Sequence, residues 1–293
     1  MLSNTFCHIP RVSPKVEERL WADGLLSWDV MQKASKLPVT RITLDTVQRH
    51  VDESQRHLEQ ENPRYFADLL PANMQWRLFP EFRHSVAYLD IETTGLQSGA
   101  NHVTTIALYD GLTIKHYIQG QNLGDFARDI EQYKLLVTYN GKCFDIPFLR
   151  QSLGLALPQA HIDLRYVLFK LGYRGGLKGC EKAMGIERYE LDGVDGFMAV
   201  CLWGDYKKRH NPRALETLLA YNIADVLGLE TLLVKAYNLM LKQTPFEAAR
   251  LLDLPQTPPN PFQADVATLK RLMSELPWHY APAPSTSLQY RHD

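Results

Sequence analysis

The amino-acid sequence predicts an α/β fold, in which helices flank a mixed β-sheet and a small helical region precedes the sheet. Two observations carry this prediction. Short apolar segments between residues 85 and 118 have the length and pattern of strands, and a tight turn joins two of them. Farther along the chain, strand-like and helical segments alternate, which is typical of a sheet whose faces are covered by helices.

The first 80 residues have the pattern of a helical N-terminal region. Ser13 is suited to cap a helix, and Pro14 is suited to the first position of that helix. A second short helix is expected to begin at Ser27, and the polar segment 43–60 is expected to be a longer helix. We therefore expect a small helical unit before the sheet.

Three segments predict an antiparallel group of strands. Residues 85–92 form a nearly continuous apolar run that ends in acidic residues, as a buried central strand can do. Residues 102–108 and 112–118 flank Asp110-Gly111, a dipeptide that favours the turn of a β-hairpin.

The alternating part of the chain follows. We expect a helix over 123–133, a strand over 135–139, a helix over 148–153, a short strand over 161–164, and mainly helices over 165–241. Beyond residue 254 the chain is rich in proline, and one more helix is expected near 263–275. The tail around 281–285 has the composition of a disordered segment.

The composition narrows the class of protein. The formal net charge is −1, which disfavours a protein that simply coats nucleic acid but not an enzyme with acidic metal ligands. The four cysteines include no CxxC pair, and the sequence shows neither an uninterrupted apolar stretch of membrane-spanning length nor a secretory signal. We expect a cytoplasmic protein that does not bind a membrane.

Acidic residues at the end of the first predicted strand are the first candidates for chemistry. Asp90 and Glu92 are two residues apart, so both side chains lie on one face of the strand. Two adjacent carboxylates at the end of a buried strand repel each other, and a divalent cation would remove this repulsion. The alternative interpretation is an ordinary turn with solvated acids.

Two further segments carry acids in similar positions. Asp145 follows the predicted strand at 135–139, and Tyr221 and Asp225 are four residues apart on one face of a predicted helix. Each has a plain alternative, because Asp145 could cap a helix and the other two could form a surface pair. Together with the first pair, these segments provide four carboxylates that can converge on one point.

Four converging carboxylates suit the hydrolysis of a phosphodiester bond. This reaction needs an activated water and a stabilised leaving oxygen, and two divalent ions roughly 4 Å apart supply both. Mg²⁺ and Mn²⁺ prefer oxygen ligands. We therefore predict that Asp90, Glu92, Asp145 and Asp225 bind two such ions. Tyr221 is predicted to orient or help to deprotonate the attacking water.

The three segments resemble the exonuclease motifs of the DEDD superfamily, in its tyrosine-bearing subclass. Asp90 and Glu92 match the first motif, Asp145 in NGKCFDIPFL matches the second, and Tyr221 and Asp225 in YNIAD match the third. The other subclass would have histidine five residues before the last acid, where this chain has alanine.

A closer resemblance, over roughly residues 84–235, is to the YprB-like family of ribonuclease-H-like domains. The segments HIDLRY, GGLKGCEKAMGI and YNIADVLGLETL also fit that family. The resemblance implies a ribonuclease-H-like fold and metal-dependent nuclease activity. We accordingly predict three parts, a helical N-terminal region at 1–80, a ribonuclease-H-like exonuclease domain at 81–245, and a proline-rich C-terminal extension with one helix at 246–293.

Several residues near the acids are candidates for contacts with substrate. Arg174 and Lys178 lie in a glycine-containing basic segment before a helix, where they could bind phosphates or simply be solvated. Phe144 and Leu96 could stack on or wedge the terminal base, although Phe144 could equally belong to the core. The candidate set is completed by Thr93 and Asn140.

The leading function is therefore a 3′–5′ exonuclease acting on single-stranded DNA or RNA ends. Ribonuclease-H-like sites also support structure-specific endonucleases, so that activity is the alternative enzyme. The alternative from another class is a nucleic-acid-binding module without catalysis, which four mutually repelling carboxylates disfavour. The expected partner is nucleic acid, and the sequence leaves the oligomeric state open.

Overall fold

A five-stranded mixed sheet forms the centre of the computed structural model, which describes residues 1–40, 42–97, 99–188, 191 and 194–276. The strand order is β3-β2-β1-β4-β5. Strand β2 is antiparallel to both of its neighbours, β1 and β3, whereas β4 is parallel to both β1 and β5. The mixed sheet predicted from the sequence is confirmed. The strands are β1 (Val86–Thr93), β2 (Val103–Tyr109), β3 (Ile114–Ile118), β4 (Leu135–Thr138) and β5 (Ala160–Asp163).

Helices precede, connect and follow the strands. Those before the sheet are α1 (Pro14–Ala22), α2 (Trp28–Gln32), α3 (Leu44–Glu59), α4 (Pro63–Leu69) and α5 (Phe79–Phe82). Those within and after it are α6 (Asp125–Ile130), α7 (Asp145–Leu153), α8 (Leu164–Lys170), α9 (Gly176–Ala183), α10 (Gly196–Arg209), α11 (Pro212–Leu241), α12 (Glu247–Arg250) and α13 (Val266–Glu275). Short 3₁₀ helices cover Leu2–Asn4, Ala72–Leu78 and Arg83–Ser85.

Local sequence signals explain several of these boundaries. The Ser13 hydroxyl accepts a hydrogen bond from the backbone N of Val16 and caps α1, as expected. At the hairpin between β2 and β3, Gly111 has a φ of 93°, a left-handed conformation that glycine adopts without strain. The predicted turn therefore forms where the sequence places it.

Helix α11 is the long core helix of the fold. It packs against β1 and β2, and most of its side chains are buried. By length and composition alone it could cross a membrane, yet 89% of its most apolar window is buried inside the protein. A continuous apolar surface on this helix is therefore explained by packing against the sheet and its neighbours.

The N-terminal helices share one hydrophobic core with the sheet and α11. Trp76 packs edge-on against Tyr237 of α11, with ring centroids 5.3 Å apart. Arg77 donates from Nη1 to Oε1 of Glu17 at 2.8 Å, and both side chains are almost fully buried. The N-terminal region therefore packs directly onto the α/β part of the chain.

The sequence pattern located some elements less well. Helix α6 is shorter than the predicted 123–133, and α7 begins at Asp145 rather than near 148. The sequence pattern did not predict the short helices between residues 63 and 85 individually, because prolines interrupt their periodicity. The tail predicted to be disordered, 281–285, lies outside the described residues.

Candidate metal centre

Asp90 and Glu92 lie on the central strand of the sheet. In the pairing of β1 with β2, Asp90 is opposite Ala107 and Glu92 is opposite Thr105, and the register shifts directly after Glu92. Because side chains alternate along a strand, both carboxylates project from one face. The shift interrupts the regular pairing of β1 with β2 directly beyond the two acids.

Helix α11 brings a third acid to this face. Asp225 lies one turn after Tyr221, and its side chain is buried. Asp90, Glu92 and Asp225 can each offer one carboxylate oxygen such that the three atoms lie within 4.8 Å of one another. Three oxygen ligands at this spacing fit a divalent cation that prefers carboxylates.

Asp145 stands beside this group at the first position of α7. Its Oδ1 accepts a hydrogen bond from the backbone N of Ile91 at 3.2 Å, and Ile91 is the residue between the two acids of β1. The side chain of Asp145 is buried and lines the same cavity as the other three acids. The structure thus brings all four predicted acids to one cavity, from β1, α7 and α11.

These carboxylates oppose one another's ionisation when no cation is bound. Burial, followed by the charges of Asp225 and Asp145, raises the pKa of Asp90 well above its usual value. Burial and the charge of Asp225 also raise the pKa of Glu92. Burial raises the pKa of Asp145 to about 7, despite hydrogen bonds from backbone amides. A divalent cation would favour the ionised forms, so this donor set fits Mg²⁺ or Mn²⁺.

Asn222 holds Asp90 in place from helix α11. Its Nδ2 donates to Oδ2 of Asp90 at 2.7 Å and to the backbone oxygen of Asp90 at 3.3 Å. The hydroxyl of Thr105 on β2 donates to Oδ1 of Asn222 at 3.0 Å, which fixes the orientation of the amide. The fully buried Asn222 therefore links α11 to both strands beneath the site.

Tyr221 is also buried at the edge of the site. Its phenol oxygen accepts a hydrogen bond from Nζ of Lys178 at 2.7 Å, and the ammonium lies 4.2 Å from the ring centroid. Burial, then the negative charges of Asp225 and Glu92, raises the pKa of Tyr221 above its usual value. The side chain is therefore a neutral phenol that is suited to positioning a water rather than to removing its proton.

Arg188 contacts the site from behind Asp225. Its Nη1 donates to Oδ1 of Asp225, while Nε donates to Oε2 of Glu181 at 2.5 Å and Nη2 donates to Oε1 of Glu181 at 2.8 Å. All three side chains are more than nine-tenths buried. A buried guanidinium thus connects Asp225 to a second acid on α9.

The four acids line one side of a cavity of about 620 Å³. Its other walls combine aromatic rings and cations, a combination suited to nucleotide bases and phosphates. Of the predicted substrate contacts, Asn140, Phe144 and Arg174 line this cavity. Further lining residues that the sequence did not single out are Arg165, Phe169 and Tyr173.

The lining residues have defined local contacts. Arg174 stacks over Phe169, with 3.4 Å between its Cζ and the ring centroid, and donates to the backbone oxygens of Phe169 and Tyr173. Phe144 packs against Phe148, with ring centroids 5.6 Å apart, so it belongs partly to the core. The side-chain oxygen of Asn140 accepts a hydrogen bond from Nη1 of Arg165.

Three other predicted contacts have different surroundings. Thr93 donates from its hydroxyl to the backbone oxygen of Gly95 at 2.7 Å and thereby closes the turn after β1. Leu96 is 85% exposed. Lys178 lies within α9 rather than in a loop before it, because the helix begins at Gly176. Its ammonium is engaged by Tyr221 and by the backbone oxygen of Val194. A contact between Lys178 and a phosphate would require those bonds to break.

Asn222, Arg188 and Glu181 contact the acids or their partners, yet the sequence interpretation gave them no role. A signal existed for Asn222, since it is a polar residue within the otherwise apolar stretch of α11. Arg188 and Glu181 are recognisable only from their ion pairs in the folded chain.

The chain is similar to several known proteins. Residues 87–237, which contain all four acids, match a family model described as the RNase H superfamily. Over 184 residues the chain is 28% identical to the uncharacterized protein YprB of Bacillus subtilis (strain 168), an alignment that covers 55% of this chain and 44% of that relative. A solved structure, the family B DNA polymerase from the archaeon Pyrobaculum calidifontis, matches with a TM-score of 0.41 and 18% identity over 57% of this chain and 27% of the polymerase.

The family predicted from the motifs is thus confirmed by a match that spans just over half of the chain and by the similarity to YprB. This membership supports a nuclease-type activity that uses divalent metal ions and acts on nucleic acid. The chain belongs to the RNase H superfamily and contains a YprB-like, ribonuclease-H-like domain.

Proposed function

We propose that this protein is a divalent-metal-dependent nuclease that removes nucleotides from the 3′ end of single-stranded DNA or RNA. The observation that carries the proposal is the convergence of four carboxylates on one cavity, three of them buried and that of Asp90 half-buried, with one oxygen from each of Asp90, Glu92 and Asp225 within 4.8 Å of the others. Four mutually repelling acids destabilise the cation-free protein. In a phosphodiester hydrolase they would serve as ligands of the catalytic metal ions.

In this proposal Asp90, Glu92, Asp145 and Asp225 hold two Mg²⁺ or Mn²⁺ ions. When bound, these ions lower the pKa of the attacking water and stabilise charge on the leaving oxygen. Asn222 keeps the carboxylate of Asp90 turned toward the site through its hydrogen bond. Strand β1 supplies two of the acids, and helices α7 and α11 supply one each.

Tyr221 has a separate task in the proposed reaction. Lys178 already donates to its phenol oxygen, so the phenol O–H remains available to donate to a water in the cavity. Because its pKa is raised above the ordinary value, Tyr221 keeps this proton at neutral pH. We infer that Tyr221 orients the attacking water.

The cavity walls support a preference for unpaired nucleotides. Phe144, Phe169 and Tyr173 provide aromatic rings near the acids, and any base can stack on such rings when it is not held in a duplex. Arg165 and Arg174 provide positive charge for the backbone phosphates. These contacts are independent of base identity, so we expect weak sequence preference.

A product-length assay tests the proposal. The protein is incubated with 5′-end-labelled single-stranded DNA and RNA of about 20 nucleotides in Mn²⁺, beside Asp90→Asn and the control Asp253→Asn, which changes an exposed acid away from the site. We expect stepwise shortening from the 3′ end by the wild type and the control, and none by Asp90→Asn. Internal fragments would instead indicate an endonuclease, and binding without cleavage would indicate a catalytically silent module.

A further inference from the structure

A buried ion pair lies next to the proposed metal centre, outside its cavity. Arg188 bridges Asp225 and Glu181, with its Nε and Nη2 on the two oxygens of Glu181 and its Nη1 on Oδ1 of Asp225. Asp225 lines the cavity of the four acids, whereas Arg188 and Glu181 line a second cavity of about 430 Å³. The guanidinium therefore approaches Asp225 from a side other than the one that faces substrate.

Helix α11 is shaped to admit this ion pair. Gly228 lies three residues after Asp225, on the same helical face, and a Cβ atom at Gly228 would lie 2.3 Å from Oε1 of Glu181. Glycine is a poor residue for the middle of a helix, and alanine would favour the helical conformation. The close approach of Glu181, whose oxygens are both held by Arg188, accounts for glycine at this position.

We propose that Arg188 is a positioning residue that fixes the carboxylate of Asp225 for metal binding. Glu181 holds Arg188 by two hydrogen bonds, in the space that the missing side chain of Gly228 leaves. The inference rests on the proposed function, because it assigns Asp225 as a metal ligand. With Oδ1 of Asp225 held by Arg188, the carboxylate cannot rotate freely, and its other oxygen is left for a cation in the cavity.

The planar guanidinium is required for this arrangement. Its fork contacts both oxygens of Glu181 and still presents a third nitrogen to Asp225. A lysine ammonium carries the same charge but is a single point on a flexible stem, so it cannot reproduce the fork. Arg188→Lys therefore preserves the charge of the cluster while it removes the fixed geometry.

Calorimetric titration of the 293-residue chain with Mn²⁺ tests the inference without measuring catalysis. The variants are Arg188→Lys and Gly228→Ala, and the matched control is Gly204→Ala, a glycine in helix α10 where a Cβ meets no atom of the described residues within 4 Å. Loss of a partner that orients a metal ligand typically weakens metal binding 10–100-fold. We expect a loss of about this size in both variants and none in the control.

The thermal midpoint of each variant without metal is measured first, and the titrations are done well below it. Wild-type affinity in both variants would overturn the inference, as would equal losses in Gly204→Ala. If Gly228→Ala does not fold, Arg188→Lys decides alone. Asp225→Asn distinguishes a failure of the proposed metal centre from a failure of the inference about Arg188. Mn²⁺ binding that is unaffected by Asp225→Asn would contradict the metal centre itself, and the inference with it.

Discussion

Asn222 donates a hydrogen bond of 2.7 Å to the Oδ2 of Asp90, across the interface between helix α11 and the central strand. The same helix carries Asp225 one turn later, so α11 both supplies an acid and orients another. This relationship makes the geometry of the site a property of helix-on-sheet packing. A shift of α11 would move Asp225 and release Asp90 at the same time.

The role of Asn222 can be tested by Asn222→Ala. We expect Mn²⁺ affinity to fall about 10–100-fold, because a ligand carboxylate loses the partner that orients it. Stability should fall by about 1–3 kcal/mol as well, since the buried hydroxyl of Thr105 loses its acceptor. Asn238→Ala is the control on the same helix, because its amide contacts only the backbone of Leu252 among the described residues. Unchanged Mn²⁺ affinity in Asn222→Ala would contradict the assigned role.

Removing one charge from the site should stabilise the metal-free protein. In chelator at pH 7 we expect Asp90→Asn to unfold with a free energy about 1–3 kcal/mol higher than that of the wild type, because repulsion among buried carboxylates is reduced. Denaturant titrations in chelator measure this difference. The same variant should be inactive in Mg²⁺. A variant that is less stable than the wild type would show that Asp90 serves the fold rather than a cation.

The contribution of Asp145 to stability without metal should fall as the pH rises. The pKa of Asp145 is raised by burial from an unfolded value near 3.8 to about 7, so the folded state binds the proton more tightly than the unfolded state. The stability from this group is fully present below about pH 4 and is lost as the pH rises through 7. Denaturant titrations between pH 4.5 and 8 in chelator, for the wild type and Asp145→Asn, measure it. We expect the wild type to lose stability relative to the variant over this window, and parallel curves would argue against the assignment.

Tyr221→Phe should separate catalysis from metal binding. Because the hydroxyl is proposed to hold the water, the rate of cleavage should fall by roughly 10²–10⁴-fold while Mn²⁺ affinity changes little. Tyr237→Phe is the control on the same helix, since the buried hydroxyl of Tyr237 has no hydrogen-bond partner among the described residues. Single-turnover rates decide the question, and equal rates for the wild type and Tyr221→Phe would reduce Tyr221 to a packing role.

The convergence of the acids could be predicted because each depends on a short-range rule. Alternation along a strand places Asp90 and Glu92 on one face, and helical spacing places Tyr221 and Asp225 on another. Strand β4 pairs with the central strand β1 and ends at Thr138, and Asp145 begins the helix that follows. Once the fold is predicted to be a mixed sheet covered by helices, these short segments are expected to meet at one site.

The surroundings of the acids could not be predicted in this way. Lys178 belongs to a segment that resembles a solvated loop, yet α9 begins at Gly176 and directs its ammonium into the protein toward Tyr221. Arg188 pairs with Glu181 and Asp225 only because the chain after α9 returns to α11. Such pairings depend on the tertiary path of the chain, and local periodicity carries no information about that path.

The central claim, that these four carboxylates hold divalent cations, is tested most directly by anomalous diffraction from crystals soaked in Mn²⁺. The account predicts strong peaks between the carboxylates of Asp90, Glu92, Asp145 and Asp225, with two ions about 4 Å apart. It also predicts that Arg188 and Asn222 keep their hydrogen bonds to Asp225 and Asp90. A cavity without an anomalous peak in crystals that bind Mn²⁺ elsewhere would contradict the account.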